Sequence, residues 1–486
     1  MTDPRHAPDE SVLAAGTIPG TTLGTSPGTP PGPLRQTEDE AELSDDDGTG
    51  ERPAPLWRDR DFVAVWSAAT ISIFGSLITR QAVPFAAILV LAAGPLEISA
   101  LRSAELVAGL IVGLFAGAWV DRLRRRPILI WADLGRAVLL LSIPIAFVLG
   151  VLGLAQLVVV AFAAAILSTF FDVADNAYLP TIVSRKRLVE ANSALTATGS
   201  IAEFSAFGLA GFLIQAFTAP IAIAIDAVTF VVSALLLGTI RRKEPAPTPH
   251  ADREPVLREI REGIRIVAGS PVLRALALSH GGTHILWGIF GTSYLLYATY
   301  ELQLGPAVIT LIAAVGGIGS LVGSALAPRL ARRFGVGPAI LLGILGFTLG
   351  NTLIPLAPSG AVPGLDTSTV ILLGALFLVT QQLFGDALAT VYEVTETSLV
   401  QATVADRLLG RVNATVTTFT TLLTLGGAIA GGIIAETFGL RAAFWVGLAG
   451  SVLALLVVYF SPVRHLRDAP LAPSIGMRAD ELVITE

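Results

Sequence analysis

The chain has 486 residues, of which 53% are hydrophobic and 14% are charged, and it contains no cysteine. Soluble domains carry roughly one quarter charged residues, so this composition excludes an ordinary soluble protein, and the missing cysteines exclude disulfides and thiolate chemistry. The formal net charge of −6 is unevenly spread, because residues 1–56 hold eleven acidic and three basic residues, a balance of −8, and the remainder carries +2.

Residues 1–56 are rich in Gly, Pro, Thr and Asp, as in "GTTLGTSPGTPPGPLR", and contain no Phe, Trp or Tyr. Such a segment buries too little apolar surface to offset the entropy of ordering it. It also lacks the apolar stretch of a signal peptide. We therefore predict a disordered acidic tail, either dispensable or a docking site for a partner.

Twelve apolar stretches follow, each about 20 residues or longer, which is the length that spans a bilayer as a helix. In lipid, a helix is the only single segment that satisfies its own backbone hydrogen bonds, so each stretch predicts a transmembrane helix. The stretches lie near 62–92, 97–120, 127–150, 155–180, 193–217, 219–240, 272–299, 306–328, 336–357, 369–392, 412–436 and 440–461. The fold class predicted is an all-α membrane protein of twelve transmembrane helices.

Arginine and lysine collect in alternate connections, while the others, such as "AAGPLE" and "GVLGLAQ", contain neither. Basic residues favour the cytoplasmic side. Both termini are thus predicted to be cytoplasmic. The basic residues are Arg58 and Arg60; Arg122, Arg124, Arg125 and Arg126; Arg185, Lys186 and Arg187; Arg241, Arg242 and Lys243; Arg329, Arg332 and Arg333; Arg407 and Arg411; Arg464 and Arg467.

The twelve predicted helices divide into two six-helix repeats. "GAWVDRLRRRP" and "GSALAPRLARRFG" occupy equivalent connections, and repeated halves around a midplane site are a transporter architecture. Between them, Leu257, Ile260, Ile264 and Val267 share one helical face, which predicts an interfacial helix. The predicted organisation is a tail (1–56), an N-terminal bundle (57–240), a cytoplasmic linker (241–271), a C-terminal bundle (272–465) and a cytoplasmic tail (466–486).

The second-to-third connection resembles the signature loop of the major facilitator superfamily. Gly117, Asp121, Arg122, Arg125 and Arg126 match the signature, while Arg124 stands where the family usually has a second Gly. "FFDVADNAYLPTIVSRKRLVEANSAL", "IDAVTFVVSALLL" and "DRLLGRVNA" are similar to the bacterial siderophore-exporter and macrolide-efflux branch.

The resemblance implies that this loop is a conformational latch, with Asp121 binding the cytoplasmic ends of facing helices in the outward-facing state. The alternative is that the arginines only set topology. One departure weakens an antiporter assignment: Ala206 and Phe207 stand where the exporter branch often has Gly-Pro. Gly199, Gly208 and Gly211 still permit close helix contact.

Ionisable residues inside the predicted spans are costly and mark pathways or partners. By their depth, Arg80 and Glu105 are able to pair, and Glu203 falls near the midplane. These three residues are the candidates for proton coupling, and structural pairing is the alternative. Asp133, Arg136, Asp172, Asp175 and Asp386 are predicted gate charges near the cytoplasmic side; there we expect Arg136 to pair with Asp172 or Asp133 and reject a pair between Arg80 and Asp172.

His280 and His284 lie one helical turn apart, and Gln381 and Gln382 lie in the tenth span. We expect these four side chains to line the cavity or contact substrate, with helix packing as the alternative. "HGGTH" lacks the Glu of a metalloprotease helix, so no metal site is predicted.

These features, with the family resemblance, predict a secondary active transporter rather than an enzyme. The expected activity is proton-driven export of an amphipathic compound (a drug, siderophore or other secondary metabolite) from a bacterial plasma membrane. The expected partners are the lipid bilayer, a small-molecule substrate and protons, with no nucleic acid and no cofactor, and the chain is expected to be a monomer. Uptake by the same fold and a non-transporting membrane sensor are the alternatives.

Overall fold

The computed structural model describes residues 55–120, 122–242, 244 and 256–468. Within those ranges the chain is helical and contains no strand, which confirms the predicted all-α class. Asp121, most of the predicted acidic tail and most of the predicted C-terminal tail lie outside the described residues.

The helices follow one another with short connections. They are α1 (Arg60–Leu91), α2 (Pro95–Val120), α3 (Arg125–Val148), α4 (Leu154–Ile182), α5 (Leu188–Phe217), α6 (Ala219–Thr239), α7 (Val256–Gly269), α8 (Pro271–Leu296), α9 (Pro306–Phe334), α10 (Val336–Asn351), α11 (Leu353–Leu356), α12 (Thr367–Thr380), α13 (Asp386–Thr403), α14 (Asp406–Phe438) and α15 (Leu440–Tyr459). A π-helical segment, Gln381–Gly385, joins α12 to α13, and another, Tyr297–Glu301, extends α8.

Among the described residues, ten helical segments are long and apolar enough to cross a membrane. Two of them are composite: α10 with α11 spans Val336–Leu356, and α12 with α13 spans Thr367–Thr403. The other two predicted spans correspond to α2 and α8, each of 26 residues.

Polar residues begin several helices. The carboxylate of Asp59 accepts hydrogen bonds from the backbone N–H groups of Asp61 and Phe62 at the start of α1, and the hydroxyl of Ser270 accepts one from Leu273 in α8. Such caps satisfy donors that have no partner inside the helix. At α12, hydrogen bonds from Ser368 and Thr369 hold the pKa of the exposed Asp366 carboxyl below its usual value.

The two halves pair their helices in the same way. In the first half α1 contacts α5 and α6, α2 contacts α4, and α3 contacts α4 and α6. In the second half α8 contacts α14 and α15, α9 contacts α13, and α10 contacts α13 and α15. Between the halves, α2 packs against α14 and α5 against α9.

The helices alternate in direction, so the connections that carry the basic residues lie at one end of this bundle. These are the connections between α2 and α3, α4 and α5, α6 and α7, α9 and α10, and α13 and α14, and we call this end the arginine-bearing face. The amphipathic segment α7 packs against α14 near this face, where Glu262 forms an ion pair with Arg411.

Candidate transport cavity

A cavity of about 930 Å³ lies between the two halves, with walls from α1, α2 and α5 on one side and α8, α9 and the Gln381–Gly385 segment on the other. Aromatic and charged side chains share its surface. They include Phe207, Trp287, Phe290 and Tyr294, together with Arg80, Arg102, Glu105, Glu203 and Asp386.

Hydrogen bonds close the cavity at the face opposite the arginines. The Ser99 hydroxyl donates to the Ala428 carbonyl oxygen at 2.8 Å, and the Tyr300 hydroxyl donates to the Ile88 carbonyl oxygen at 3.0 Å. In addition, the backbone N–H of Ala307 donates to Oε1 of Gln215 at 3.2 Å. These three contacts join helices of the two halves toward this face, which we therefore call the sealed face.

Three glycines on α5 show where this helix packs closely against α9. A Cβ at Gly211 would lie 2.6 Å from the Pro306 carbonyl oxygen of α9, so the two helices touch there. Gly208 and Gly199, successively closer to the arginine-bearing face, have nothing within 4 Å of an added Cβ. Of the three glycines that permit close helix contact, Gly211 therefore makes one, while Gly208 and Gly199 do not. The cavity-lining residues Ser200 on α5 and Ser324 on α9 lie between the Gly211 contact and the arginine-bearing face, so the cavity extends between these two helices toward that face.

Arg80 and Glu105 both line the cavity, as their predicted depths imply. Glu105, however, forms its ion pair with Arg102 at 2.8 Å. Sequence reasoning missed Arg102, although its spacing three residues before Glu105 places both side chains on one helical face. No ion pair joins Arg80 to Asp172 among the described residues, although the two are close enough to interact electrostatically.

Glu203 lies on the cavity surface, where its residue is exposed rather than buried. No ion pair to Glu203 is found among the described residues. Its role in proton coupling stays a prediction.

The predicted gate charges contain one buried ion pair, between Asp133 and Arg136. These residues are 0% and 4% exposed, and the guanidinium lies 4.4 Å from the ring centroid of Phe171 and 4.1 Å from that of Phe230. Asp172 lies within electrostatic range of Arg136 but makes no ion pair that the structure describes. Of the two predicted partners of Arg136, Asp133 is therefore the one that forms the ion pair.

Asp175, one turn after Asp172 on α4, lies within electrostatic range of Asp172 and Asp133. Asp386, the fifth predicted gate charge, lies on the cavity surface.

In the signature loop, Arg126 binds the end of α6 and Arg125 binds Glu244, which follows that helix. The backbone N–H of Arg125 donates to Oε1 of Glu244 at 2.8 Å. The guanidinium of Arg126 donates to the carbonyl oxygens of Leu237 and Gly238 at 2.9 and 2.6 Å. Cations at the C-terminus of a helix interact favourably with its dipole. Gly117 lies within α2 and Arg122 is exposed; the latch role of the loop stays a prediction.

The four predicted cavity residues, two histidines and two glutamines, do not all line the cavity. Gln382 lines the cavity, whereas Gln381 is buried and faces Asn351 at 3.5 Å. His280 and His284 are not among the cavity-lining residues; Trp287, the next turn of α8, is.

The His280 ring nitrogen Nδ1 lies 2.8 Å from Oε2 of Glu396. Sequence reasoning missed Glu396 because the tenth span was predicted to end at residue 392, while α13 continues to Thr403. An intramembrane carboxylate in a longer span was the available signal. Within the described ranges, no group of three or more His, Asp or Glu is arranged to hold a metal ion.

Two equivalent helical halves around a central cavity, sealed at one face, define a multi-pass membrane transporter. The family model of the Major Facilitator Superfamily matches residues 65–396 and 276–479, so the chain belongs to that superfamily.

Curated relatives agree with this assignment. The uncharacterized MFS-type transporter YfiS of Bacillus subtilis is 27% identical, covering 81% of this chain and 91% of its own. The multidrug efflux pump Tap of Mycolicibacterium fortuitum is 27% identical, and the match covers 78% of this chain and 89% of Tap.

Among solved structures, a bacterial homologue of the iron transporter ferroportin in its inward-facing state is 21% identical with a TM-score of 0.62, covering 84% of this chain and 99% of that one. The nucleoside transporter NupG is 14% identical with a TM-score of 0.61, and the match covers 83% of this chain and 98% of NupG. At these identities the likeness establishes the fold alone.

Proposed function

We propose that this protein is a proton-driven exporter that moves an amphipathic organic compound across a bacterial plasma membrane by alternating access. The observation that carries the proposal is the cavity of about 930 Å³ between the halves, within the range of about 300–1,000 Å³ typical of small-molecule sites. Its aromatic and charged walls suit a compound with an apolar body and a polar or charged group.

Two observations support export as the direction of transport. The cavity extends toward the arginine-bearing face between α5 and α9, where Ser200 and Ser324 line it, and the distribution of basic residues predicts that this face is cytoplasmic; a cavity open there can accept substrate from inside the cell. The relative Tap is named a multidrug efflux pump, which supports export of foreign or secondary compounds. The bacterial sources of the relatives support the plasma membrane as the location.

Proton coupling is supported by carboxylates on the cavity surface. Glu105, Glu203 and Asp386 come from three different helices in both halves. A carboxylate that faces a cavity open alternately to each side can exchange a proton and a cationic substrate, because one positive charge replaces the other.

The proposal is tested with everted membrane vesicles from cells that express the chain, with ethidium as the transported probe. We expect ethidium uptake when the vesicle interior is made acidic and loss of uptake when nigericin collapses the pH gradient. Vesicles from cells without the gene are the control. Uptake that is unchanged by nigericin would contradict proton coupling.

Direction in the native cell is tested separately by mass spectrometry of small molecules in cells and medium, with and without the gene. A compound that accumulates inside and falls outside on deletion is an exported substrate. A compound that falls inside and persists outside would instead establish uptake.

A further inference from the structure

A buried acid and two stacked histidines lie in the second half, with His284 and His280 one and two turns of α8 from the cavity-lining residue Trp287. Nδ1 of His280 and Oε2 of Glu396 are 2.8 Å apart, and Glu396 is only 4% exposed. The rings of His280 and His284 stack with centroids 4.6 Å apart and planes 19° apart. The three residues come from α8 and α13, so tertiary packing creates this group.

The hydrogen-bond partners favour one tautomer of each ring. The Thr424 hydroxyl donates to the Thr420 carbonyl oxygen at 2.8 Å, so its oxygen is left to accept from Nδ1 of His284 at 3.0 Å. For His280 we take Nδ1 as the donor to Oε2 of Glu396, which is the tautomer that completes this hydrogen bond. Each ring therefore takes up an additional proton at Nε2.

Only one of these rings can readily hold that additional proton. Two imidazolium rings stacked at this separation would repel one another, because like charges disfavour each other's charged form. The carboxylate of Glu396 contacts His280 and not His284. An added proton is consequently most stable on His280, where it completes an ion pair.

Neighbouring helices bring few other charges to the rings. On α13, Glu393 lies within electrostatic range of His280, and the Tyr392 ring centroid is 6.0 Å from that of His280. On α14, Phe419 and Leu423 pack against α8 at Gly281, and on α15 Gly450 and Ala454 pack at Gly282. On α2, Arg102 approaches α8 at Gly291, three turns beyond His280.

The histidine group adjoins the contact that seals the cavity. One turn after Thr424 on α14, the Ala428 carbonyl oxygen accepts the Ser99 hydroxyl of the other half at 2.8 Å. The same oxygen accepts the Thr292 hydroxyl of α8 at 3.3 Å. The α8–α14 interface thus carries both the histidines and the closing hydrogen bond.

We propose that His280 and Glu396 form a proton-binding site in the second half, and that its occupancy shifts the equilibrium between open and sealed arrangements of the opposite face. A proton from water at the arginine-bearing face binds Nε2 of His280 and converts an imidazole–carboxylate pair into an imidazolium–carboxylate pair. The same proton leaves to water when the cavity opens at the other face. This inference rests on the proposed proton-driven function and assigns it a second site.

Proton binding is measured directly by nitrogen NMR on the full chain with ¹⁵N-labelled histidine in lipid nanodiscs. The chain has five histidines, and His280→Gln assigns the signal. We expect the His280 ring signals to change with pH and Glu396→Gln, which removes the neighbouring carboxylate, to raise the midpoint proton concentration by about tenfold or more. A His280 ring whose signals do not change with pH would overturn the site.

The conformational role is measured with spin labels, since the chain has no native cysteine. Labels at Ser184→Cys and Gly410→Cys, both exposed at the arginine-bearing face, report the separation of the halves. We expect a distance distribution that changes with pH, loss of that change in His280→Gln and Glu396→Gln, and no effect of His465→Gln at an exposed histidine.

These outcomes separate the two proposals. If ethidium is not transported but the spin-label distances still depend on pH through His280 and Glu396, the export proposal fails and the site stands. If proton-driven ethidium transport and the distance change both persist in His280→Gln and Glu396→Gln, the site is wrong while the export proposal stands.

Discussion

The Ser99 hydroxyl of α2 donates a hydrogen bond of 2.8 Å to the Ala428 carbonyl oxygen of α14, and this bond crosses between the two halves. The approach is close because Gly432, one turn further along α14, has no side chain. A Cβ there would lie 3.1 Å from the Pro95 carbonyl oxygen and nearer still to the Ser99 side chain. The sealed face therefore depends on a position without a side chain.

Gly432→Leu should separate α2 from α14 and favour the opposite conformation. Overpacking of this kind typically costs about 1–3 kcal/mol, which shifts the equilibrium between conformations by roughly 5- to 150-fold. Spin-label distances across the sealed face measure this shift. Gly426→Leu on the same helix is the matched control, because nothing lies within 4 Å of a Cβ at Gly426; an equal effect of both substitutions would contradict the role of the close contact.

Breaking the buried Asp133–Arg136 pair should destabilise the first half. Arg136→Gln leaves a fully buried carboxylate without its cation, and loss of one partner of such a pair costs about 3–5 kcal/mol. Thermal unfolding in detergent should show a clear fall in midpoint temperature. Arg102→Gln, which breaks the more exposed pair with Glu105, provides the comparison and should cost about 1 kcal/mol or less.

Asp133→Asn combined with Arg136→Gln should destabilise less than the sum of the two single substitutions, because residues of one ion pair are energetically coupled. Strict additivity of the midpoint temperatures would show that the pair does not act as a unit.

Glu203→Gln should abolish the response of ethidium transport to an imposed pH gradient, because the amide cannot exchange a proton at the cavity surface. The measurement is the initial rate in everted vesicles with and without the gradient. Glu190→Gln, on the same helix but in an exposed ion pair with Arg187, should keep the full response. Retention of that response in Glu203→Gln would remove this residue from the coupling mechanism.

Asp121→Asn should slow interchange between conformations while leaving substrate affinity nearly unchanged, as the family resemblance implies for a latch. Transport rate and ethidium binding are measured on the same reconstituted protein. Arg124→Gln, at the position that departs from the signature, distinguishes the latch from simple topology setting. Unchanged transport in Asp121→Asn would contradict the latch.

Much of the fold follows from local patterns in the chain. Runs of apolar residues predict helices because each backbone must satisfy its own hydrogen bonds in lipid, and the alternation of basic connections orders them across the membrane. The Asp133–Arg136 pair was predictable for a similar reason: its members are three residues apart on one helix, and helical periodicity brings their side chains together.

Partners on different helices were decided by the tertiary structure. Glu396 reaches His280 across 116 residues of sequence, and Glu244 reaches the backbone of Arg125 across 119. Such contacts depend on the rotation and axial offset of one helix against another, and these are set by packing over whole surfaces. Hydropathy and periodicity establish what each helix is and which way it runs, but only the packed bundle brings an acid to a histidine.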